Sequence, residues 1–600
     1  MSPEQAYTML PVREPYSDQP DSETEDDVLP LDTPQQQPHV RVQPSRRPWR
    51  RFSPTSLFLA RRGPRRILTW RRALALAVVA YVAYCTVTSQ PLFAHKLPAY
   101  TGPHAVGAID LEVPVSNPRV ISPAKFKGTD KDAFQLDTVL FTLYYPASRD
   151  VASDKPLHRW VPKPVALTAK GYSKAAGISN WFTNALFTAV LAGLAGSLTI
   201  PAQVDIPLGG APPAATVPED GASSLKHDRE SPADPAQAIF GSAPASHPDS
   251  ARYPVVVFTH GMASSRTDYT HYCGELASRG YIVAAIEHRD GSSPGSLVMR
   301  EGKPGEEAIL FKLEDVVLPA GSTSASSSEE KEVDIDSFKK AQLAFRQAEI
   351  ESVVETLQQI NAGEGAKVLA SNSRLEGTHL PQWSGRLNTD AMILAGHSYG
   401  ATGVLQALKP SHTDENNLLP FAGAVVLDPG KSSGHLNPDI AVPILVIHSN
   451  SWSATSSIFY GRPHFHVVRD IVRENNAPPK NNPSWFMTSL GTSHPSVTDA
   501  PLIVPLLLSW TTGAKIDVYE GLRQYVHVSE DFMWFLGPAG DNKTANRQWG
   551  ERRGLLREKA DYPDYDESAG WGQYHGQREE GWKQYWQIHV APPPLDASPV

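Results

Sequence analysis

Between Ala391 and Ala401 the chain reads Ala-Met-Ile-Leu-Ala-Gly396-His397-Ser398-Tyr399-Gly400-Ala, an apolar run that ends in Gly-x-Ser-x-Gly and passes at once into helix-compatible sequence. A strand that turns this abruptly into a helix holds its central serine in a strained backbone conformation and lifts the hydroxyl above the sheet edge. Glycine on either side is what lets strand and helix pass so close. Five residues of this pattern recur in unrelated chains, so the surrounding sequence decides what Ser398 does.

At 600 residues the chain exceeds what one catalytic core requires, which leaves room for long segments outside it. Its balance of 55 basic against 64 acidic residues, net −9, argues against nucleic acid as a partner. The two cysteines, Cys85 and Cys273, fall in segments of different character and are not expected to pair.

Residues 1–65 hold an acidic cluster (Glu23, Glu25, Asp26, Asp27) and a Gln/Pro stretch without apolar periodicity, and read as a disordered tail. Eleven arginines and no acidic residue lie between Arg41 and Arg72, ahead of an uncharged apolar segment at 73–90. A buried core helix or a cleaved signal peptide accounts less well for a basic leader of 72 residues than a single transmembrane anchor does. Such an anchor would be near the lower length limit for a bilayer, with the N-terminal tail cytosolic and the catalytic region lumenal or extracellular. The sequon Asn542-Lys543-Thr544 fits that placement. A second apolar stretch, Trp181 to Ile200, is broken by Asn184, glycines and Ser197, and lacks basic flanks. It reads as an interfacial or pocket-lining helix before it reads as a second span.

The region 100–513 alternates apolar strands with helices. Strands are expected at Tyr253–Thr259, Tyr281–Ile286, Ala391–Ala395, Ala422–Leu427, Pro443–Ile447 and around 484–488, and helices at Thr267–Arg279, Asp336–Ile360 and from the elbow to Leu408. Continuous apolar strands between helices specify a mostly parallel sheet covered on both faces, an α/β fold of α/β-hydrolase type. Surface insertions are expected at about 207–250 and 318–334, and a Trp-rich, charged extension at 514–600 (Trp549, Trp571, Trp582, Trp586) reads as poorly ordered decoration.

A serine hydroxyl needs a base, and the base a carboxylate that orients it. In α/β-hydrolases these follow the serine in the order acid, then histidine. Asp428 closes the Ala422–Leu427 strand, 30 residues after Ser398, where such sheets collect their catalytic groups. Asp290 also follows a strand but precedes the serine. Among His435, His448, His464, His466, His494 and His527, the loop Ser489–Pro495 presents His494 between a strand and an apolar helix, which makes it the candidate base. His464 and His466 alternate like one face of a strand, yet no cysteine or carboxylate cluster joins them as a metal site. Oxyanion donors are expected from the backbone N–H of Tyr399 and from Met262, after Thr259-His260-Gly261. The sequence shows no phosphate loop, dinucleotide fingerprint or zinc pattern, so no cofactor is expected.

Taken together, the block YPVVVFTHGMASSRTDYTHYCGELASRGYIVAAIEHRDGS (253–292), the elbow Gly396–Gly400, Gly196-Ser-Leu-Thr-Ile-Pro-Ala202, Leu427-Asp428 and the His494 loop resemble the platelet-activating factor acetylhydrolases. These are calcium-independent phospholipase A2 enzymes. The resemblance implies Ser398, Asp428 and His494 as the triad and Met262 and Tyr399 as oxyanion donors. It further implies hydrolysis of a short or oxidised sn-2 acyl ester of a glycerophospholipid and contact of Trp181–Leu198 with a lipid surface. Ala401 stands where relatives often carry a second glycine, and Tyr399 stands where phenylalanine is common, which would bring a hydroxyl into the pocket. Two rival readings stay open: a general carboxylesterase, lipase or acyltransferase with the same triad, and a membrane-tethered pseudoenzyme that binds a partner through its tail.

Overall fold

The structure, a computed structural model, describes residues 65–87, 94–148, 151–209, 252–319, 331–409, 419–453, 456–505, 512–537, 554–561 and 581–593. The acidic N-terminal cluster, Trp549, Trp571, the sequon and most of both insertions lie outside them. In chain order the strands begin with β1 (Ala105–Phe126), β2 (Asp132–Ala147), β3 (Gln203–Val204), β4 (Tyr253–Thr259), β5 (Ile282–Glu287), β6 (Gly295–Val298) and β7 (Glu306–Ile309). They continue with β8 (Val316–Leu318), β9 (Lys331–Glu332), β10 (Leu387–His397), β11 (Phe421–Leu427), β12 (Ile444–Ser449), β13 (Trp485–Ser489) and β14 (Trp586–Val590).

Twelve of these form one sheet in the order β14-β13-β12-β11-β10-β4-β5-β2-β1-β8-β9, with β3 beside β1. From β13 to β5 the strands run parallel. The flanking strands β2, β1, β8, β9 and β14 add on antiparallel. The sheet is therefore mixed, and the expectation of a mostly parallel one is corrected. Only residues 127–131 join β1 to β2, far too few for the crossover that a parallel pair requires. The α/β-hydrolase character resides in the parallel centre.

There the apolar runs are buried on both faces. β4 sends Val255 and Val257 to one core and Val256 and Phe258 to the other, and β11 divides Ala424 and Val426 from Val425 and Leu427 in the same way. Each fully buried Val or Leu contributes about 1.5–3 kcal/mol relative to exposure. The long helix Ile335–Gln359 covers one face and the helices Thr270–Ser278 and Val518–Leu536 the other. Gly280, at φ 103°, stops the Thr270–Ser278 helix as the sequence suggested.

Two expectations concern the periphery. Helix α1 (Arg65–Val87) opens with Arg65, Arg66, Arg71 and Arg72. No helix among the described residues is long and apolar enough to cross a membrane, so the expected anchor at 73–90 finds no support there, and its residues 88–90 lie outside the described residues. The described parts of the C-terminal extension, in turn, pack into the core and are not decoration. Along Val518–Leu536, Leu522, Tyr525, Val526, Phe532 and Met533 are buried, and β14 lies at the sheet edge with Trp586 and Ile588 fully buried. Trp586 donates its indole N–H to Gln524 at 3.0 Å.

The second apolar stretch forms α2 (Trp181–Ala195), whose N-terminus is capped reciprocally by Asn180 and Thr183. Phe182, Leu186 and Val190, spaced one turn apart, stay 59%, 50% and 50% exposed, and Trp181 83%. A helix of 15 residues with an outward apolar stripe is interfacial in form, not spanning.

Candidate active site

The C-terminal ends of β4, β10, β11, β12 and β13 meet at one rim, and each delivers one part of the site. β10 ends at His397, and Ser398 follows at φ 57° and ψ −121°, directly before the helix Tyr399–Ala407. The two elbow glycines are required by contact. A Cβ on Gly396 would sit 2.3 Å from the Thr259 hydroxyl, and one on Gly400 would sit 2.2 Å from the Thr259 carbonyl oxygen. Ser398 donates its N–H to Leu427 on the neighbouring strand at 2.9 Å, which ties the elbow to the strand that carries the acid.

Asp428 leaves β11 in a left-handed conformation, φ 46°. The Ser449 N–H and hydroxyl both donate to its carboxylate at 2.6 Å, one to each oxygen. Burial pushes the Asp428 carboxyl up to about 6, opposed by nearby His397, the Ser449 bonds and Lys431. His494 Nδ1 lies 2.9 Å from Asp428 Oδ2. An N–H donated there leaves Nε2 unprotonated and ready to accept a proton. The ring of His397, the residue before the serine, lies 4.4 Å from that of His494. These three groups, His397, Asp428 and His494, hold ligand-type atoms within 4.8 Å of one another. Of these atoms, His494 Nδ1 and Asp428 Oδ2 are engaged with each other.

The loop after β4 runs against the serine. A Cβ on Gly261 would sit 2.9 Å from Ser398 Cβ, so only glycine passes there, and Met262 follows it. The hydroxyl of Tyr269 accepts from the Gly261 N–H at 3.2 Å and pairs with His397 Nδ1 at 2.8 Å. Burial, then His494, lowers His397 to about 3, so it stays neutral and accepts the tyrosine proton. His260 lies beneath the loop: Nε2 accepts from the His288 N–H, Nδ1 bonds the Gly261 carbonyl, and burial lowers its pKa to about 4. It is a strut for the donor loop. Ala263, Ser398 and Asp428 are three of the six described non-glycine residues with positive φ, a concentration of backbone strain where sites tend to store it.

Several other candidates have partners of their own. Asp290 is fully buried against Arg346 at 2.8 Å, and Arg346 also donates to the His260 carbonyl and to Ser292. It braces the loop from below and stands away from His494's carboxylate partner. The Tyr399 hydroxyl, expected in the pocket, instead donates to Gln342 at 2.6 Å, and its ring packs under the Arg346 guanidinium, because the side chain turns into the core. His464 and His466 open the helix His464–Asn476 and share no strand face; Pro463 precedes them at its start. His464 Nε2 bonds the Pro429 carbonyl. His435 packs on Phe459 and Tyr460, and His527 lies beside Glu530. The sequence reading missed Tyr269, Ser449 and Trp452. A Tyr, a Ser or a Trp in a strand-end loop carries no spacing signal, and only the fold brings these to the rim.

The segment 238–559 matches the profile of the family described as platelet-activating factor acetylhydrolase, isoform II. A putative phospholipase A2 from Schizosaccharomyces pombe is 25% identical over 473 residues, which span 73% of this chain and 91% of that protein. The platelet-activating factor acetylhydrolase of Canis lupus familiaris is 26% identical over 316 residues, 52% of each chain. That of Cavia porcellus is 29% identical over 183 residues, 30% of this chain and 35% of its own. The chain thus spans about half or less of those two mammalian relatives.

Proposed function

The chain belongs to the platelet-activating factor acetylhydrolase family, and from that premise we propose that it is a serine esterase acting on glycerophospholipids with short or oxidised sn-2 acyl chains. The observation that carries the reading is the 2.9 Å bond from His494 Nδ1 to the Asp428 carboxylate beside the strained elbow that presents Ser398.

In the proposed cycle, His494 Nε2 takes the Ser398 proton as Oγ attacks the ester carbonyl. Asp428 holds the imidazole in the required tautomer and stabilises the imidazolium that forms. The backbone N–H groups of Met262 and Tyr399 face the developing oxyanion, where a donor is worth on the order of 3 kcal/mol. His494 then returns the proton to the departing glycerol oxygen, leaving the acyl group on Ser398. Water activated by the same imidazole releases the short acid. Asp428 serves as acceptor while ionised, so turnover falls as pH drops through about 6. The apolar stripe Phe182, Leu186, Val190 with Trp181 is the proposed contact with the lipid surface.

The test is hydrolysis by the purified protein of phosphatidylcholines with acetyl, short and long sn-2 chains, and of p-nitrophenyl esters, with and without calcium chelation. Activity confined to short chains, unaffected by chelation and abolished by Ser398→Ala, is expected. Equal turnover of long-chain and simple esters would favour a general lipase or carboxylesterase. Absence of fluorophosphonate labelling at Ser398 would favour a pseudoenzyme.

A further inference from the structure

The bond from His494 Nδ1 to Asp428 fixes one point of the imidazole, and the plane of the ring decides where Nε2 points. The side chain is also the open member of the pair, 27% exposed against 3% for Asp428. Against that plane lies Trp452, whose indole stacks on the imidazole with ring centroids 3.8 Å apart and planes only 6° from parallel. The other ring beside His494, that of His397, is tilted by 36° and offers no such face.

Trp452 also reaches the acid. Its indole N–H donates to the carbonyl of Pro429, the residue after Asp428, at 2.9 Å, and His464 bonds the same oxygen at 2.7 Å. The tryptophan belongs to a tight turn closed by its own N–H on the Ser449 carbonyl, and Ser449 is the residue that binds both Asp428 oxygens. One short turn after β12 thus grips the carboxylate with its first residue and the imidazole with its last. Lys431 Nζ stands 3.9 Å from the centre of the indole, and the side chain is almost wholly buried. The charge over its ring and the bond at its N–H set the indole plane, and the indole sets the imidazole plane.

We infer that Trp452 is a positioning residue for the reaction at Ser398: its flat face fixes the plane of the His494 imidazole while its N–H fixes the segment that carries Asp428. The inference rests on the esterase reading above and adds to it a residue outside the triad whose shape, not its chemistry, sets the rate. Stacking is the operative part, so a flat apolar ring should serve where a branched or flexible chain does not.

The experiment compares the full chain with Trp452→Leu, Trp452→Phe and Ser398→Ala, measuring kcat and KM on a 2-acetyl phosphatidylcholine and on p-nitrophenyl acetate, with thermal unfolding of each. A sub-ångström error in the base is amplified in rate, so Trp452→Leu should lower kcat on the order of tenfold to hundredfold and leave KM within about threefold. Trp452→Phe, which keeps the face and loses the N–H, should recover to within about fivefold of the parent. If the leucine variant does not fold, Trp452→Met supplies a chain of similar reach without a face. Unchanged kcat in the leucine or methionine variant, a loss that lies in KM, or a phenylalanine variant as slow as leucine would each overturn the inference. Turnover that survives Ser398→Ala would overturn the esterase reading itself and this inference with it, a pattern distinct from the others because the parent rate would then not depend on Ser398.

Discussion

Replacing Asp428 by asparagine should make the protein more stable and nearly inactive, and the size of the first effect follows from the burial of the carboxyl. Asp428 is 3% exposed, and burial raises it from 3.8 to about 6. At about 1.4 kcal/mol per pH unit this amounts to about 3 kcal/mol favouring the neutral form in the fold. The carboxyl holds its proton more tightly in the native than in the unfolded chain. Its contribution to stability is therefore complete below about pH 4 and is lost as pH rises through about 6. Asp428→Asn has no proton to lose. It should match the parent near pH 4 and exceed it by roughly 1–3 kcal/mol near pH 8, the lower figure allowing for the exchange of one Ser449 acceptor for an amide. Denaturant unfolding of both proteins at the two pH values measures the difference. Esterase assays should show kcat down by about 10⁴, because the amide no longer selects the Nδ1–H tautomer of His494. Equal stabilities near pH 8, or a gap that widens as pH falls, would refute the assignment of strain to this carboxylate.

Gly261→Ala places a methyl 2.9 Å from Ser398 Cβ, and should lower kcat/KM at least about hundredfold with unfolding little changed. Trp586→Ala removes a fully buried indole and its bond to Gln524, and should destabilise by about 3–5 kcal/mol in denaturant melts. Asp290→Ala leaves the Arg346 guanidinium buried without its carboxylate, and should destabilise by about 3–5 kcal/mol; a soluble variant with parent stability would contradict the bracing role.

The parts of the fold legible in the sequence are those buried on both sides. β4, β5, β10, β11 and β12 read as unbroken apolar runs, and the elbow and the aspartate that closes β11 are local patterns that fold in place. The antiparallel half was hidden because β1 combines a buried stretch with an exposed one, from Pro114 onward largely solvent-facing with a shifting register against β2, so neither a continuous run nor a clean alternation marks it. The helix Val518–Leu536 did carry a signal: Leu522, Tyr525, Val526, Ser529, Phe532, Met533 and Leu536 share one buried face. It was masked by the charged, Trp-rich sequence around it. At 73–90 hydropathy suggests a span, yet no helix among the described residues is long and apolar enough to be one, and the helix there also takes in the arginines before it. In the candidate site, Ser398, Asp428 and His494 were legible as candidates from motif and spacing, and the structure brings His494 to within 2.9 Å of Asp428. Tyr269, Ser449 and Trp452 join them through bonds and ring contacts across long stretches of sequence, and no local pattern announces them.

The position of β14 has a consequence for synthesis. His494 hangs from the end of β13, and β13 is flanked on its outer side by a strand that the chain supplies almost a hundred residues later, with Leu490 bonded to Tyr585 across the join. On a ribosome, the nucleophile and acid segments leave the exit tunnel long before that edge strand does. A nascent polypeptide therefore passes through a period in which the segments carrying Ser398 and Asp428 have emerged while His494 stands on an unfinished border, and the proposed site is complete only once β14 has followed.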